Sequence, residues 1–288
     1  MPLTSPKKIL TPSYPKSGAT WFRFLTFGIE KGWAMESQSV KKHNPETGHN
    51  THWPESIGQE ERSFVKTHLP FWDGNHAAAE ADGIILLVRN PFDCMMSRLS
   101  HNRLHGVDIS EPEKIRNFFA AFTANANKKQ REIREDRMDG GWSNHQASWR
   151  GAEAMKERIS FIRFEDLSQD CAGTLQKVNV DLNLGWQPLD IQRGVLFGSK
   201  QWMSALEAHE VEHEVLGMFY SRKRAEAFAS HGARFVGGVR KVEDYEIFME
   251  HVQEAFLEEF TAPCEELGYD LESIIQAKYA TAKAKAGV

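Results

Sequence analysis

Lys16, Lys66, His68 and Arg89 are the side chains best placed to do chemistry on an anion, because each stands at or near the end of a short apolar segment. Lys16 lies in Tyr14-Pro15-Lys16-Ser17-Gly18-Ala19-Thr20-Trp21, between the apolar pair Ile9-Leu10 and a helix-compatible run from Phe22 to Ile29. A strand that turns through Lys-Ser-Gly into a helix aims several backbone N–H groups, and the positive end of the helix dipole, at one point. The lysine adds a full charge. In a Walker-type nucleotide loop the lysine follows the last glycine and is itself followed by Ser or Thr for Mg²⁺. Here Lys16 precedes Gly18 and no Gly-Lys-Ser/Thr lies near it, so the turn suits a phosphate-like anion and poorly suits a magnesium nucleotide. The competing reading is an ordinary strand-to-helix turn with a solvated lysine.

Gly83 to Val88 is a continuous apolar run, the pattern of a strand covered on both faces. It ends in Arg89-Asn90-Pro91, with Asn90 suited to cap a helix and Pro91 to begin it. Arg89 then stands at the carboxyl end of a buried strand, where open α/β sheets bind ligands, and Ser97 falls about two turns into the helix. The two could grip one phosphate, the arginine by a charge-assisted fork. The alternative is a structural ion pair and a helix serine packed on the sheet. A third short strand, Phe64-Val65-Lys66-Thr67-His68, brings Lys66 and His68 two residues apart onto one strand face. A strand-end histidine is usually structural; beside a lysine it becomes a candidate for acid–base work.

These residues require strands alternating with helices, which predicts an α/β fold with a central parallel sheet flanked by helices. At 288 residues the chain can bury its core as one domain, so residues 1–288 are expected to form one unit with 280–288 as a frayed helix or tail. The formal net charge of −5 argues against a general nucleic-acid binder, so an anionic ligand must be captured by local charge from Lys16, Lys66 and Arg89. Three widely spaced cysteines, Cys94, Cys171 and Cys264, suggest reduced thiols in a cytoplasmic protein. No apolar run approaches the ~18 residues of a membrane span.

Tyr-Pro-Lys-Ser-Gly-x-Thr-Trp, Lys-Thr-His-Leu-Pro and Arg-Asn-Pro-x-Asp-x-x-x-Ser, in this order, resemble the cytosolic sulfotransferase family. Two further stretches agree: Gly141-Trp142-Ser143-Asn144-His145 running on to Trp149 resembles the family's Gly-Ser-Trp-x-x-His-x-x-x-Trp helix, and Ile159 to Leu167 its strand ending in Tyr-Glu-Asp. Together they run from residue 12 to about 167, with a weaker match to about 245. The resemblance implies a fold like that of P-loop nucleotide kinases and the use of 3′-phosphoadenosine 5′-phosphosulfate (PAPS), with release of 3′-phosphoadenosine 5′-phosphate (PAP) and no metal. Lys16 would stabilise charge on the bridging oxygen. Ser17, Gly18, Ala19 and Thr20 would wrap the 5′-phosphate, and Trp21 would stack on adenine. Arg89 and Ser97 would hold the 3′-phosphate; His68 would be the general base, with Lys66 near the sulfuryl group.

The sequence departs from the family at several points. Ala19 replaces a threonine, removing a hydroxyl but keeping the backbone donor. Phe164 replaces a tyrosine, so the adenine would be held by packing. The C-terminal Arg-Lys-Gly-x-x-Gly-Asp-Trp segment is only vaguely echoed from Arg234 to Lys241, leaving Arg234, Arg240 and Lys241 as alternatives for the last 3′-phosphate contact. Ser199, in Phe197-Gly198-Ser199, would border the adenine.

The implied reaction is transfer of a sulfuryl group to a small-molecule phenol, alcohol or amine, natural products included, by a monomer or homodimer independent of membranes and nucleic acid. The alternatives are a nucleotide or nucleoside kinase of related architecture and a non-catalytic PAP-binding module. Between the motifs, His43, His49 and His52 fit no trusted zinc spacing and are expected in a loop over the acceptor. Residues from about 104 to 139 read as a helical insertion with a Phe118, Phe119 and Phe122 stripe, and the acidic run Leu206 to Glu214 as a solvated helix face.

Overall fold

The computed structural model describes residues 7–47, 53, 62–107, 109–128, 141–221, 235–236 and 240–287; Arg234, His49 and His52 lie outside them. Four strands form the sheet: β1 (Lys8–Pro12), β2 (Ser63–Thr67), β3 (Gly83–Val88) and β4 (Ile159–Arg163). Their order is β2-β1-β3-β4 and every pairing is parallel. All six residues of β3 are buried, as its unbroken apolar run requires. Parallel neighbours need crossovers, and these are helical. Helices α1 (Ala19–Glu30) and α2 (Ser37–His43) follow β1, and α3 (His76–Glu80) follows β2. After β3 come α4 (Pro91–Leu104), α5 (Pro112–Ala124) and α6 (Trp142–Arg150). The chain leaves β1 toward β2 on one side and leaves β3 toward β4 on the other. The carboxyl ends of the central pair β1 and β3 therefore mark the point where the winding reverses, the place open α/β sheets keep for ligands.

Beyond β4 the described residues form α7 (Phe164–Gln169), α8 (Cys171–Asp181), α9 (Pro188–Phe197), α10 (Lys200–Glu212), α11 (Val242–His251), α12 (Gln253–Glu265) and α13 (Leu271–Ala286). The alanine- and lysine-rich C-terminal stretch thus continues a helix as far as Ala286. The chain divides into two compact units, one of residues 1–89 and 145–221, the other of 90–144 and 222–288.

The first unit holds the sheet. Its core joins Ile9, Phe64, Ile85 and Ile162 of the strands to Phe22 and Leu25 of α1. Helices α1 and α9 approach closely because glycines face each other: a Cβ on Gly28 would lie 2.8 Å from the Cα of Gly194. In the second unit, Phe92 packs on Phe248 at a ring separation of 4.9 Å, and Arg103 donates two 2.7 Å hydrogen bonds to the buried carboxylate of Asp244. Helix α5 accounts for part of the expected insertion, and its Phe119 is fully buried in this unit. The stripe is core, and Phe118 and Phe122 are its half-buried flanks.

Candidate active site

The turn from β1 into α1 is built around two residues with positive φ, Lys16 at 75° and Gly18 at 97°. Glycine is required at position 18 for a second reason: a Cβ there would lie 2.6 Å from Cδ2 of Phe164. Ser17, almost wholly buried, closes the turn by donating its N–H to the Tyr14 carbonyl at 3.1 Å. Gly18 occupies the N-cap of α1 without a side-chain cap, so the amides of Ala19 and Thr20 open onto the turn with no side chain spent on them. Lys16 belongs to the same turn, and Arg89 donates from Nη1 to the Lys16 carbonyl at 3.1 Å.

Phe164 is the second organiser of this side. The Arg89 guanidinium carbon stands 4.0 Å from its ring centroid, and Trp21 meets it edge-on at 5.4 Å. Trp21 is fixed at its far end by an Nε1–H bond of 2.8 Å to the Gly198 carbonyl. The next residue, Ser199, caps α10 by accepting from the Trp202 amide at 3.2 Å, which leaves its hydroxyl proton available. Lys16, Ser17, Gly18, Ala19, Thr20, Trp21, Arg89, Phe164 and Ser199 all belong to the first unit.

The carboxyl end of β2 contributes the groups able to move a proton. Ser13 donates its N–H to the Thr67 carbonyl at 3.1 Å, extending the β1–β2 pairing, and in return its carbonyl lies 2.6 Å from His68 Nδ1. A carbonyl has no proton to give, so Nδ1 carries one and Nε2 is the basic lone pair. Burial, then the Lys66 charge, press the His68 pKa well below its ordinary value, against the Ser13 carbonyl, which raises it. The ring is therefore neutral at pH 7. His145 is wholly buried, packs edge-on against Tyr14 at 5.9 Å, and burial lowers its pKa to about 3.

Lys66 is buried beside the half-exposed Glu46, with Nζ 2.9 Å from Oε2. Glu46 reaches it because residues 45–47 add to the sheet edge: the Lys66 amide donates to the Pro45 carbonyl and the Thr47 amide to the Lys66 carbonyl. Burial lowers the Lys66 pKa to about 8, and Glu46 limits the fall, so the ammonium is mostly charged at pH 7.

The second unit holds Ser97, Arg240 and Lys241. Asn90 caps α4 as expected, accepting from the Asp93 amide at 2.8 Å. Asp93 is buried and takes Arg240 at 2.7 Å and Lys278 at 3.1 Å. Burial opposes the Arg240 charge, but Asp93 and Tyr245 outweigh it and raise the pKa. Ser97 lies one helical turn beyond Asp93, on the same face of α4. Lys241 is exposed and supplies the N-cap of α11.

Sequence reasoning passed over Arg23 and Glu46. Arg23 is 5% exposed although it is the single charged residue in the run Phe22 to Ile29, and that interruption was the available signal. The acidic run corrects an expectation: Glu207 and Glu210 are fully buried rather than solvated. Glu210 accepts from the amides of Ser37 at 2.8 Å and Phe219 at 3.2 Å, tying down two segments distant in sequence. Among the described residues no group of three or more metal-ligating side chains is found, and no helix is long and apolar enough to cross a membrane.

A family profile described as Sulfotransferase domain matches residues 6–233. The chain belongs to the sulfotransferase family. Sulfotransferase 1C2 of Oryctolagus cuniculus is 24% identical over 188 residues, 60% of this chain and 57% of that protein. Cytosolic sulfotransferase 15 of Arabidopsis thaliana is 24% identical over 208 residues, 65% of this chain and 54% of its own length. The chain thus spans little more than half the length of these sulfotransferases. Among solved structures, mouse sulfotransferase SULT7A1 complexed with PAP superposes with a TM-score of 0.60 at 18% identity, covering 96% of this chain and 89% of that one. Retinol dehydratase in complex with retinol and PAP gives 0.62 at 17% identity, covering 91% and 82%. At these identities the likeness is one of fold, and it agrees with the α/β architecture around a parallel sheet expected from the strand and helix pattern.

Proposed function

We propose that this chain is a PAPS-dependent sulfotransferase acting in the cytoplasm on a hydroxyl or amine of a small-molecule acceptor. One observation carries the reading. The turn at the end of β1, whose helix amides suit an anion, and the histidine at the end of β2, whose Nδ1 is engaged by the Ser13 carbonyl and whose Nε2 is thereby left as the base, are joined through Ser13. Binding alone needs the first of these; proton removal needs the second.

The residues present fit PAPS. The uncapped amides of Ala19 and Thr20, with Ser17 and the Lys16 charge, suit a 5′-phosphate, and the missing Cβ of Gly18 lets the turn pack directly against Phe164. Trp21 and Phe164 offer ring surfaces for an adenine, and Ser199 a hydroxyl proton at its edge. By the family resemblance, Arg89 in the first unit and Ser97 in the second are the candidates for the 3′-phosphate, with Arg240 or Lys241 of the second unit as a further contact. Arg240 is preferred over Lys241 because Asp93 fixes it on the Ser97 face of α4, while Lys241 is exposed at a helix start. Arg234 lies outside the described residues and stays a third candidate.

PAPS supplies the sulfuryl group, whose bond to the phosphate oxygen breaks as the acceptor atom bonds sulfur. His68 takes the acceptor proton at Nε2 while the Ser13 carbonyl holds the Nδ1 proton. Lys16 places positive charge where the departing phosphate gains negative charge. Lys66, kept charged by Glu46, does the same for the sulfuryl oxygens.

The test is PAPS-dependent sulfation of a panel of phenols, alcohols and amines in excess EDTA, read as PAP released with sulfated product. Turnover should survive EDTA, because lysine charge does the work assigned to a metal elsewhere. Transfer abolished by EDTA and restored by magnesium, or turnover of ATP in place of PAPS, would contradict the proposal.

A further inference from the structure

Arg23 is costly to bury, and nothing in its described surroundings explains the cost. It projects from α1 between Phe22 and Phe24, both essentially inaccessible, and is itself 5% exposed. Its Nε and Nη2 are buried and make no hydrogen bond within the protein. These two nitrogens form one edge of the guanidinium, the edge whose parallel N–H bonds match the two oxygens of a carboxylate. An unpaired buried charge of this kind is strongly unfavourable unless a partner arrives.

The obvious internal partner is already taken. Glu46 is bonded to Lys66 at 2.9 Å and reaches Arg23 only as a longer-range attraction. The groups that feel the Arg23 charge are Glu46, on the sheet edge, and Lys66 and His68, the two groups at the end of β2 assigned to the reacting side. With His68 neutral, two cations face one carboxylate there, and Lys41 adds further positive potential. Burial lowers the Arg23 pKa to about 10, which still leaves it charged at pH 7.

We propose that Arg23 is a specificity residue that selects acceptors bearing a carboxylate, which its free Nε–Nη2 edge grips while His68 faces the hydroxyl or amine to be sulfated. The inference rests on the sulfotransferase reading of the same site. It narrows that reading from small molecules in general to anionic phenols, alcohols or amines.

Matched pairs test it: 4-hydroxyphenylacetate and 3-hydroxybenzoate against their methyl esters, with wild type, Arg23→Met and Arg23→Lys. Two readouts are taken, calorimetric binding to the PAP-loaded protein and kcat/KM for sulfation. Wild type should favour each acid over its ester by about tenfold or more, as expected for charge-assisted bonds to a buried fork. Arg23→Met should erase the preference while PAP binding persists, which also reports that the variant is folded. Arg23→Lys should keep part of the preference. An equal loss on acids and esters would assign Arg23 to the sulfuryl group instead, and wild type without an acid preference, or without acid binding, would overturn the proposal. Arg23-dependent acid binding in a protein indifferent to PAP would sink the sulfotransferase reading and leave this inference standing.

Discussion

Replacing Gly18 by alanine should damage the site in two separable ways. The backbone at this position has φ of 97°, in the left-handed region, where a Cβ costs roughly 1–2 kcal/mol. The new methyl would also lie 2.6 Å from Cδ2 and 3.0 Å from Cε2 of Phe164, an overpacking that costs about 1–3 kcal/mol. The expected loss of stability is therefore about 2–5 kcal/mol. Phe164 cannot withdraw freely, because Arg89 lies over its ring at 4.0 Å and Trp21 meets it at 5.4 Å. PAP affinity should fall with stability. A double-mutant cycle in urea resolves the parts: Phe164→Ala in the Gly18→Ala background should recover the packing share and leave the backbone share. Coupling of at least about 1 kcal/mol is expected. A Gly18→Ala protein of wild-type stability, or a cycle additive within ~0.5 kcal/mol, would refute the account of this turn.

Two further predictions concern titrating groups. His68→Ala should lower kcat by about 10²–10⁴-fold on an acceptor whose pKa is well above the assay pH, with PAP affinity little changed; Lys16→Ala should impair both. Near-normal turnover of His68→Ala on such an acceptor would make His68 structural. Burial lowers the pKa of His43 to about 4 and of His145 to about 3, and holds His68 well below its ordinary value. The unfolded chain therefore takes up protons below about pH 6.5 that the native state refuses. Stability should be fully present above that pH and fall on acidification toward pH 4, by about 1.4 kcal/mol per histidine per pH unit. Urea unfolding at pH 7.5, 6 and 5 measures the slope, and His43→Gln should reduce it by about a third; an unchanged slope would contradict the assignment.

The parts of the site written in contiguous residues are legible in the sequence itself. The apolar run ending at Arg89, the Lys16 turn and the Lys66–His68 spacing each carry their strand or turn geometry with them, and the sheet places them at its carboxyl edge. What the sequence hid depends on partners distant along the chain. Glu210 reads as solvated in a charged helix, yet it is buried because the amides of Ser37, Phe219 and Tyr220 converge on it. Glu46 sits in a polar loop whose edge pairing with Lys66 no local pattern announces. Phe164 looks like the mere loss of a tyrosine hydroxyl, and its role as the platform under Arg89 appears only once β3 and β4 lie side by side. Arg23 was visible as a lone charge among apolar residues, but helix periodicity alone gives no reason to bury a guanidinium.

The central claim is that this chain recognises an adenosine carrying phosphates at both the 3′ and 5′ positions. Calorimetric titration with PAP and with 5′-AMP, which lacks only the 3′-phosphate, tests it most directly. Two or more charge-assisted hydrogen bonds to that group, at about 1.5–3 kcal/mol each, predict that PAP binds at least about 10²-fold more tightly. Equal affinities would contradict the claim and remove the roles assigned to Arg89, Ser97 and Arg240.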